Sequence, residues 1–132
     1  MRAVARPHDG SVGPTVLVVD DSPQFREVAA ALLAERGIVL LAAAADGDQA
    51  LDAVGPVCPD GVLLDIHLPG SNGFTVAAKL ASVCPTARIV LTSANVAEVP
   101  PQVLADCAAI AFVPKEELAG TDLAALFSPA GT

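Results

Sequence analysis

Five short apolar runs, each separated from the next by a segment with helical periodicity, constrain the fold of this chain more than any other feature. Residues 16–19 are all apolar, and the run ends abruptly at Asp20 and Asp21. An unbroken apolar run of this length is typical of a strand buried on both faces, as in a parallel sheet. We predict strands at residues 15–19, 38–41, 61–64, 88–91 and 109–113.

The segments between these runs carry the signals of helices. Ser22 is a favoured N-cap, Pro23 is favoured at the first helical position, and Gly37 is a common helix terminator. The apolar residues between them fall on one helical face, at Phe25, Val28, Ala29, Leu32 and Leu33. Further helices are predicted at residues 46–54, 74–83, 101–107 and 118–127, and the fourth is short because prolines 100 and 101 forbid a helix through them.

Five strands that alternate with five helices predict one α/β domain, a doubly wound, five-stranded parallel sheet with helices on both faces. We place this domain at residues 15–127, between tails at residues 1–14 and 128–132. The chain of 132 residues has the size of a single domain, and its 53% hydrophobic residues can form a packed core.

The charge and the hydropathy pattern exclude several functions. A formal net charge of −8 makes the chain a poor candidate for direct binding to nucleic acid, which requires clustered Lys and Arg. No run reaches the ~18 apolar residues of a membrane span, and the N-terminal residues lack the apolar core of a secretion signal. We therefore expect a cytoplasmic protein that does not enter a membrane.

The three cysteines, Cys58, Cys84 and Cys107, are odd in number, far apart and outside any metal-binding spacing. In a cytoplasmic chain this pattern indicates reduced, half-buried thiols rather than a disulfide framework or a metal site.

Polar residues follow four of the predicted strands at their carboxyl ends. The first strand ends in Asp20 and Asp21, the third in Asp65, the fourth in Thr92, and the fifth just before Lys115. In a parallel sheet these ends share the edge where ligands bind, so we expect the side chains to converge. Alone, the Asp20–Asp21 pair could simply cap the first helix, but its register with the other residues favours a site.

This set of groups suits phosphoryl transfer. Three close carboxylates repel one another, and a hard divalent cation such as Mg²⁺ relieves the repulsion and neutralises charge on an incoming phosphoryl group. One carboxylate can then act as the nucleophile. Lys115 can supply a point charge, and Thr92 a hydroxyl donor, for the phosphoryl oxygens.

Four segments, VVDDSP, LLDIHLPGSNG, IVLTSA and AFVPK, resemble the receiver domains of response regulators in two-component signalling. The resemblance covers about residues 15–127, and Pro69 and Gly73 stand four and eight residues after Asp65, as the family pattern requires. Each segment alone is weak, whereas the combination is specific. The resemblance implies a flavodoxin-like receiver fold.

The resemblance also implies a role for each residue. Asp65 would accept a phosphoryl group from a histidine kinase or a phosphotransfer protein, with Mg²⁺ as cofactor. Thr92 and Lys115 would contact the phosphoryl oxygens, and Phe112 matches the aromatic switch position that turns inward on activation. The metal would be held by Asp20, Asp21, Asp65 and the backbone carbonyl of His67.

Plainer interpretations remain open for some of these residues. Ser93 could be the functional hydroxyl in place of Thr92. Phe112 could be only a core aromatic residue on a strand, and His67 only a solvent-facing loop histidine.

Two features depart from the family pattern. Lys115 is followed by Glu116 where the family usually has proline, so we expect a trans bond there and competition by Glu116 for the ammonium group. The prolines in residues 95–101 shorten the fourth helix. In this family that helix, with the last strand and the last helix, forms the signalling face and offers a route to a homodimer.

The sequence thus supports a receiver that phosphorylation of Asp65 switches between two states, changing a face that binds a downstream protein or an output domain. It would not be an enzyme in the usual sense, although it would support its own phosphoryl transfer and autodephosphorylation. One alternative is a receiver-fold interaction or dimerisation module that works without phosphate. A phosphohydrolase with Asp65 as nucleophile is disfavoured, because His67 stands where such enzymes usually place a second acid.

Overall fold

A computed structural model of the protein describes residues 13–96 and 98–128. Within them the strands, in chain order, are β1 (Thr15–Val19), β2 (Val39–Ala44), β3 (Gly61–Asp65), β4 (His67–Leu68), β5 (Ser71–Asn72), β6 (Arg88–Ser93) and β7 (Ala109–Pro114). A parallel five-stranded sheet has the order β2-β1-β3-β6-β7, and β4 pairs with β5 in a small antiparallel hairpin. The predicted parallel sheet is confirmed, whereas the predicted tails fall almost wholly outside the described residues.

Local sequence signals define where the helices begin. The helices are α1 (Pro23–Glu35), α2 (Gly47–Ala53), α3 (Gly73–Val83), α4 (Pro101–Asp106) and α5 (Leu123–Phe127). Four of them begin with a side chain that accepts a hydrogen bond from a backbone N–H three residues on, at Ser22, Asp46, Asn72 and Asp122. α4 begins at its proline without such a cap and is short, as predicted. In the described part of the chain no helix is long and apolar enough to cross a membrane.

The sheet separates two apolar cores because successive strand residues point to opposite faces. On one face, α1 and α5 pack over Val16, Val18 and Leu63. On the other face, α2, α3 and α4 pack over Leu17 and Leu64 among other residues. With both faces covered, the carboxyl edge of the sheet is left for the polar residues.

The last predicted helix, at residues 118–127, is wrong in its first half. A 3₁₀ helix spans Lys115–Gly120, and α5 follows only after a break. At the break Thr121 is extended, with φ −101° and ψ 142°, and its hydroxyl donates to the carbonyl of Glu117. Side chains that bond the local backbone compete with a continuous helix, which is why the segment divides here.

Four strands extend past their predicted carboxyl ends, β2 to Ala44, β3 to Asp65, β6 to Ser93 and β7 to Pro114, and the hairpin of β4 and β5 was not expected. β2 extends to Ala44 through three alanines, which favour strands weakly on their own. Pairing of Val18 with Ala43 and of Val19 with Ala44 keeps this segment extended. Tertiary pairing therefore overrides local preference at the end of β2.

Two arginines fix α1 at both of its ends. Near the N-terminus, the Arg26 guanidinium donates to the backbone carbonyl of Asp20, 2.7 Å away. At the other end, Arg36 donates to the backbone carbonyls of Ala119 and Thr121. α1 is therefore attached both to the end of β1 and to the 3₁₀ segment that follows β7.

The expectation of three reduced thiols is wrong for two of the cysteines. Cys58 and Cys84 form a disulfide, with 5.7 Å between their Cα atoms and a sequence separation of 26. Cys58 lies in the loop before β3, and Cys84 is the residue at the C-terminal cap of α3. The fold brings these two positions together, which the spacing of cysteines in the sequence could not reveal. Cys107 is free and buried.

Candidate functional site

Three carboxylates meet at the carboxyl edge of the sheet. Asp20 and Asp21 directly follow β1, Asp65 is the last residue of the adjacent β3, and carboxylate oxygens of all three lie within 4.8 Å of one another. Asp20 and Asp65 are buried, whereas Asp21 is exposed. The convergence predicted from the strand ends is therefore present.

The first turn of α1 orients Asp20. The Ser22 N–H donates to Asp20 Oδ1 at 2.9 Å, and Arg26 donates to the Asp20 carbonyl. The hydrogen bond from the Ser22 N–H fixes the direction of the carboxylate, and the one from Arg26 fixes the backbone that carries it. The VVDDSP segment thus both ends a strand and places a buried carboxylate.

The loop after β3 holds Asp65 from the other side. The His67 N–H donates to Asp65 Oδ1 at 3.0 Å. The Gly73 N–H donates to the Ile66 carbonyl at 2.8 Å, and a Cβ on Gly73 would lie only 2.5 Å from Ile66 Cα and 2.6 Å from the Asp65 carbonyl oxygen. Only glycine permits so close an approach of two backbone segments. This contact gives a physical reason for the glycine eight residues after Asp65.

Lys115 spans the carboxylates from the end of β7. Its Nζ lies 2.8 Å from Asp20 Oδ2 and 3.4 Å from Asp65 Oδ2. The expected competition from Glu116 is not found: Glu116 is exposed, and within residues 13–96 and 98–128 the ion pairs of Lys115 are those with the two aspartates. No cis peptide bond occurs in that part of the chain, as predicted for the bond after Lys115.

Two hydroxyl groups lie at the end of β6. Thr92 is buried, and its Oγ1 donates to the Val113 carbonyl at 2.7 Å. Ser93 is also buried, and its Oγ accepts a hydrogen bond from the Asn95 N–H at 3.0 Å. Thr92 pairs with Val113 and is opposite Asp65 in the sheet register. This register brings Thr92 to the strand that carries the central carboxylate, whereas the functional choice between the two hydroxyls stays a prediction.

The two residues with open interpretations lie beside this edge. Phe112 is half-buried on β7 and packs against the core under α2, α3 and α4. His67 is exposed, and its backbone, not its ring, makes the contact with Asp65. The roles of Phe112 as a switch and of the His67 carbonyl as a ligand stay predictions.

The electrostatics of the site follow from its burial. Burial raises the pKa of the Asp65 carboxyl above its ordinary value of 3.8, and repulsion from Asp20 adds to this, against the opposing effects of the His67 N–H and Lys115. Burial alone would lower the pKa of Lys115, but its contacts with Asp20 and Asp65 outweigh burial and raise it above 10.5. The contacts of Lys115 therefore stabilise its cationic form, whereas burial makes ionisation of Asp65 less favourable than in water.

The three carboxylates fit a hard divalent cation. Carboxylate oxygens are the ligands that Mg²⁺ prefers, and sites with few carboxylates leave room for its retained waters. Asp20 Oδ2 is buried and faces the Lys115 ammonium, and no group in the described ranges donates a hydrogen bond of good geometry to it. A buried carboxylate oxygen in that condition still has capacity to coordinate.

One group in the site was not identified from the sequence. The Lys115 ammonium lies 4.2 Å from the centroid of the Phe25 ring. The sequence analysis placed Phe25 only on the apolar face of α1, because helical periodicity shows which residues face the core and not which of them reach a strand end. Its position in the first turn, next to the Asp-Asp pair, was the available signal.

The fold agrees with comparisons to known proteins. A sequence model described as the response regulator receiver domain matches residues 16–126. The chain is 42% identical over 79 residues to protein-glutamate methylesterase/protein-glutamine glutaminase 2 of Anaeromyxobacter dehalogenans (strain 2CP-C). The aligned residues make up 59% of this chain and 23% of that protein. The chain therefore spans about a quarter of the length of this curated relative.

Solved structures resemble the chain over most of its length. The signal receiver domain of the putative response regulator NarL from Mycobacterium tuberculosis has a TM-score of 0.71 and 30% identity, covering 86% of this chain and 93% of that one. Response regulator protein TrrA from Thermotoga maritima, solved in complex with Mg²⁺ and BeF, has a TM-score of 0.68 and 31% identity. The match covers 76% of this chain and 85% of that one. The matched residues, the sheet order and the strand-end carboxylates lead to one conclusion. The chain belongs to the response regulator receiver domain family.

Proposed function

We propose that this receiver accepts a phosphoryl group on Asp65, delivered by a histidine kinase or a phosphotransfer protein, and that the change alters a face which binds a downstream partner. The observation that carries the proposal is the Asp65 carboxylate itself, buried at the sheet edge with Lys115 Nζ 3.4 Å away and Asp20 alongside. A buried nucleophilic carboxylate beside a fixed cation is suited to receive a phosphoryl group.

Mg²⁺ would be held by Asp20, Asp21, Asp65 and the backbone carbonyl of His67. When bound, it would supply positive charge that offsets the charges of the carboxylates and of the phosphoryl oxygens. Support comes from the carboxylate cluster, from the buried Asp20 Oδ2, and from the similar TrrA structure with its Mg²⁺.

The residues of the chain have separate tasks in the transfer. One Asp65 oxygen forms a bond to phosphorus while the bond from phosphorus to the donor nitrogen or oxygen breaks, and the donor leaves with that electron pair. Asp65 Oδ1 is held by the His67 N–H at 3.0 Å, so Oδ2, which faces Lys115, is the oxygen we assign to the attack. Lys115 and Thr92 then balance charge on the phosphoryl oxygens.

Labelling with a small phosphodonor tests the proposal directly. Wild-type protein incubated with Mg²⁺ and acetyl phosphate should gain one phosphoryl group by intact mass, and peptide mapping should place it on Asp65. Asp65→Asn should not be labelled, whereas Asp48→Asn, which changes an exposed aspartate of α2, should label like wild type. An unlabelled wild type, or a labelled Asp65→Asn, would overturn the proposal.

A receiver-fold interaction module that works without phosphate is the second candidate. The six-residue α4 favours it, because an altered fourth helix changes the usual signalling face. Equal binding of a captured partner, or equal dimerisation, by wild type and Asp65→Asn would favour this candidate over the first.

A further inference from the structure

Within residues 13–96 and 98–128, the ion-pair and ring contacts of the Lys115 ammonium are with two carboxylates and one aromatic ring. Besides the ion pairs with Asp20 and Asp65, its Nζ lies 4.2 Å from the centroid of the Phe25 ring. A cation over the face of an aromatic ring is attracted by the ring quadrupole, most strongly where water is partly excluded. The Lys115 side chain is only 19% exposed, so this condition is met.

The Phe25 ring packs on the core, and the backbone that carries it belongs to the turn beside Asp20. Phe25 is half-buried and packs against the core under α1 and α5. Its N–H donates to Ser22 Oγ at 3.2 Å, and the Ser22 N–H in turn donates to Asp20 Oδ1. The turn that orients the Asp20 carboxylate therefore also positions the Phe25 backbone, while packing on the core positions the ring.

The ring contact differs from the two carboxylate contacts in one chemical respect. Under the proposed function, on which this inference rests, the Asp65 oxygen that faces Lys115 would pass into the bond to phosphorus, and Asp20 would also serve to hold the metal ion. Both carboxylate contacts of Lys115 would therefore change during uptake, when the lysine has to meet the arriving phosphoryl oxygens. Phe25 exchanges neither proton nor ligand, so its attraction for the ammonium group persists through the cycle.

We propose that Phe25 is a positioning residue for phosphoryl uptake, whose ring keeps the Lys115 ammonium at the carboxylate edge while its carboxylate partners change state. The lysine side chain is a flexible stem with a point charge, and it loses conformational freedom when held. A fixed third contact reduces the cost of holding Lys115 where the phosphoryl oxygens arrive.

Two substitutions at Phe25 distinguish the effect of the aromatic ring from the effect of apolar side-chain volume. Phe25→Leu keeps a half-buried apolar side chain and removes the ring, and Phe25→Tyr retains the ring. Phe74→Leu is the matched control, because Phe74 is also half-buried in the first turn of a helix but packs against the other core. Urea unfolding of each variant identifies any rate change that comes from loss of the fold.

Two readouts are required. In the unliganded protein, the ring current should shift the Lys115 Hε signals upfield in wild type and Phe25→Tyr but not in Phe25→Leu, by NMR. With Mg²⁺ and acetyl phosphate, Phe25→Leu should label Asp65 more slowly by between about 2-fold and about 30-fold, the equilibrium range of a cation–π contact. Phe25→Tyr should recover most of the rate, and Phe74→Leu should label like wild type.

The outcomes distinguish this inference from the proposed function. If wild type is labelled and a folded Phe25→Leu is labelled equally fast, or if Phe25→Tyr fails to restore the rate, Phe25 is not a positioning residue. If wild type is not labelled at all, the proposed function fails, while the NMR shifts still decide whether the ring holds Lys115. Absence of the upfield shift in wild type overturns the contact itself.

Discussion

The hydroxyl of Thr92 donates a hydrogen bond to the backbone carbonyl of Val113, 2.7 Å away on the neighbouring strand. Thr92 is fully buried, so its hydroxyl can turn to a phosphoryl oxygen only by giving up this bond. The carbonyl that it would release lies on β7, between Phe112 and Lys115. A change at Asp65 would thereby reach the strand that borders the proposed partner-binding face.

Replacement of Thr92 tests this relationship. Thr92→Val keeps the shape and removes the hydroxyl, so the free energy of unfolding should fall by about 1–3 kcal/mol, and labelling of Asp65 should slow. Thr92→Ser should keep both properties close to wild type. Urea unfolding and phosphodonor labelling measure the two effects. Loss of labelling in Ser93→Ala, with normal labelling in Thr92→Val, would assign the functional hydroxyl to Ser93 instead.

The raised pKa of Asp65 predicts a pH-dependent stability difference for Asp65→Asn. Because the pKa of Asp65 is higher in the folded protein than its ordinary 3.8, the folded state favours the protonated carboxyl. The stability that this protonated form contributes is fully present below pH 3.8 and is lost as pH rises through the folded pKa. Without added metal, the unfolding free energy of Asp65→Asn relative to wild type should therefore increase from pH 4 to pH 8. Urea unfolding across this range measures it, and a difference independent of pH would contradict the assignment.

Metal binding should stabilise the folded protein. A cation that binds only the native state raises stability by RT ln(1 + [L]/Kd), about 2.7 kcal/mol at a hundredfold excess over Kd. Millimolar Mg²⁺ should thus raise the melting temperature of wild type. Asp21→Asn should lose the response and still fold, because Asp21 is exposed, whereas the matched surface change Asp48→Asn should keep it. Equal responses from all three proteins would argue against a site at Asp21.

Gly73 should tolerate no side chain. A Cβ there meets backbone atoms of Ile66 and Asp65 at 2.5–2.6 Å, so relief requires movement of the loop that holds the acceptor. We expect Gly73→Ala to cost roughly 1–3 kcal/mol or more and to slow labelling. Gly55→Ala is the control, since its Cβ would meet only the Asp52 carbonyl oxygen, at 3.5 Å. Thermal unfolding compares the two, and a neutral Gly73→Ala would show that the loop yields easily.

Reduction of the Cys58–Cys84 disulfide should destabilise the fold. Closure of a loop of this length stabilises a protein by about 3.5 kcal/mol through its effect on the unfolded chain. Wild type should therefore unfold at lower urea concentration when a thiol reductant is added. Cys58→Ser, which changes the exposed partner, should match reduced wild type and not respond to reductant. A wild type that is indifferent to reductant would mean that the bond contributes nothing to stability.

The sequence predicted the sheet, the carboxyl edge and the meeting of Asp20, Asp21 and Asp65, because unbroken apolar runs and their polar ends are local signals. The short α4 was likewise predicted from its prolines. These features depend on residues that are close in the chain, or on the rule that parallel strands share an edge.

Features that depend on long-range contacts were missed. The disulfide joins residues 26 apart in the chain, and the contact of Phe25 with Lys115 joins the first helix to the last strand end. The break at Thr121 depends on competition between side-chain and helical hydrogen bonds, which have similar energies. Glu116 was expected to compete for Lys115, its neighbour in sequence, but the carboxylates of Asp20, just after β1, and Asp65, at the end of β3, pair with it instead.

Arg26 in α1 and Arg36, the residue at its C-terminal cap, complete a circuit, that is, a closed series of contacts that returns to its starting segment. From Lys115 the circuit passes to Asp20, through Arg26 along α1 to Arg36, and back through the carbonyl of Thr121 to the 3₁₀ helix that Lys115 begins. In a closed circuit, each member is attached by two routes. Lys115 can release Asp20 and remain tethered to the same helix from behind, so the lysine can change partners without freeing the segment that carries it.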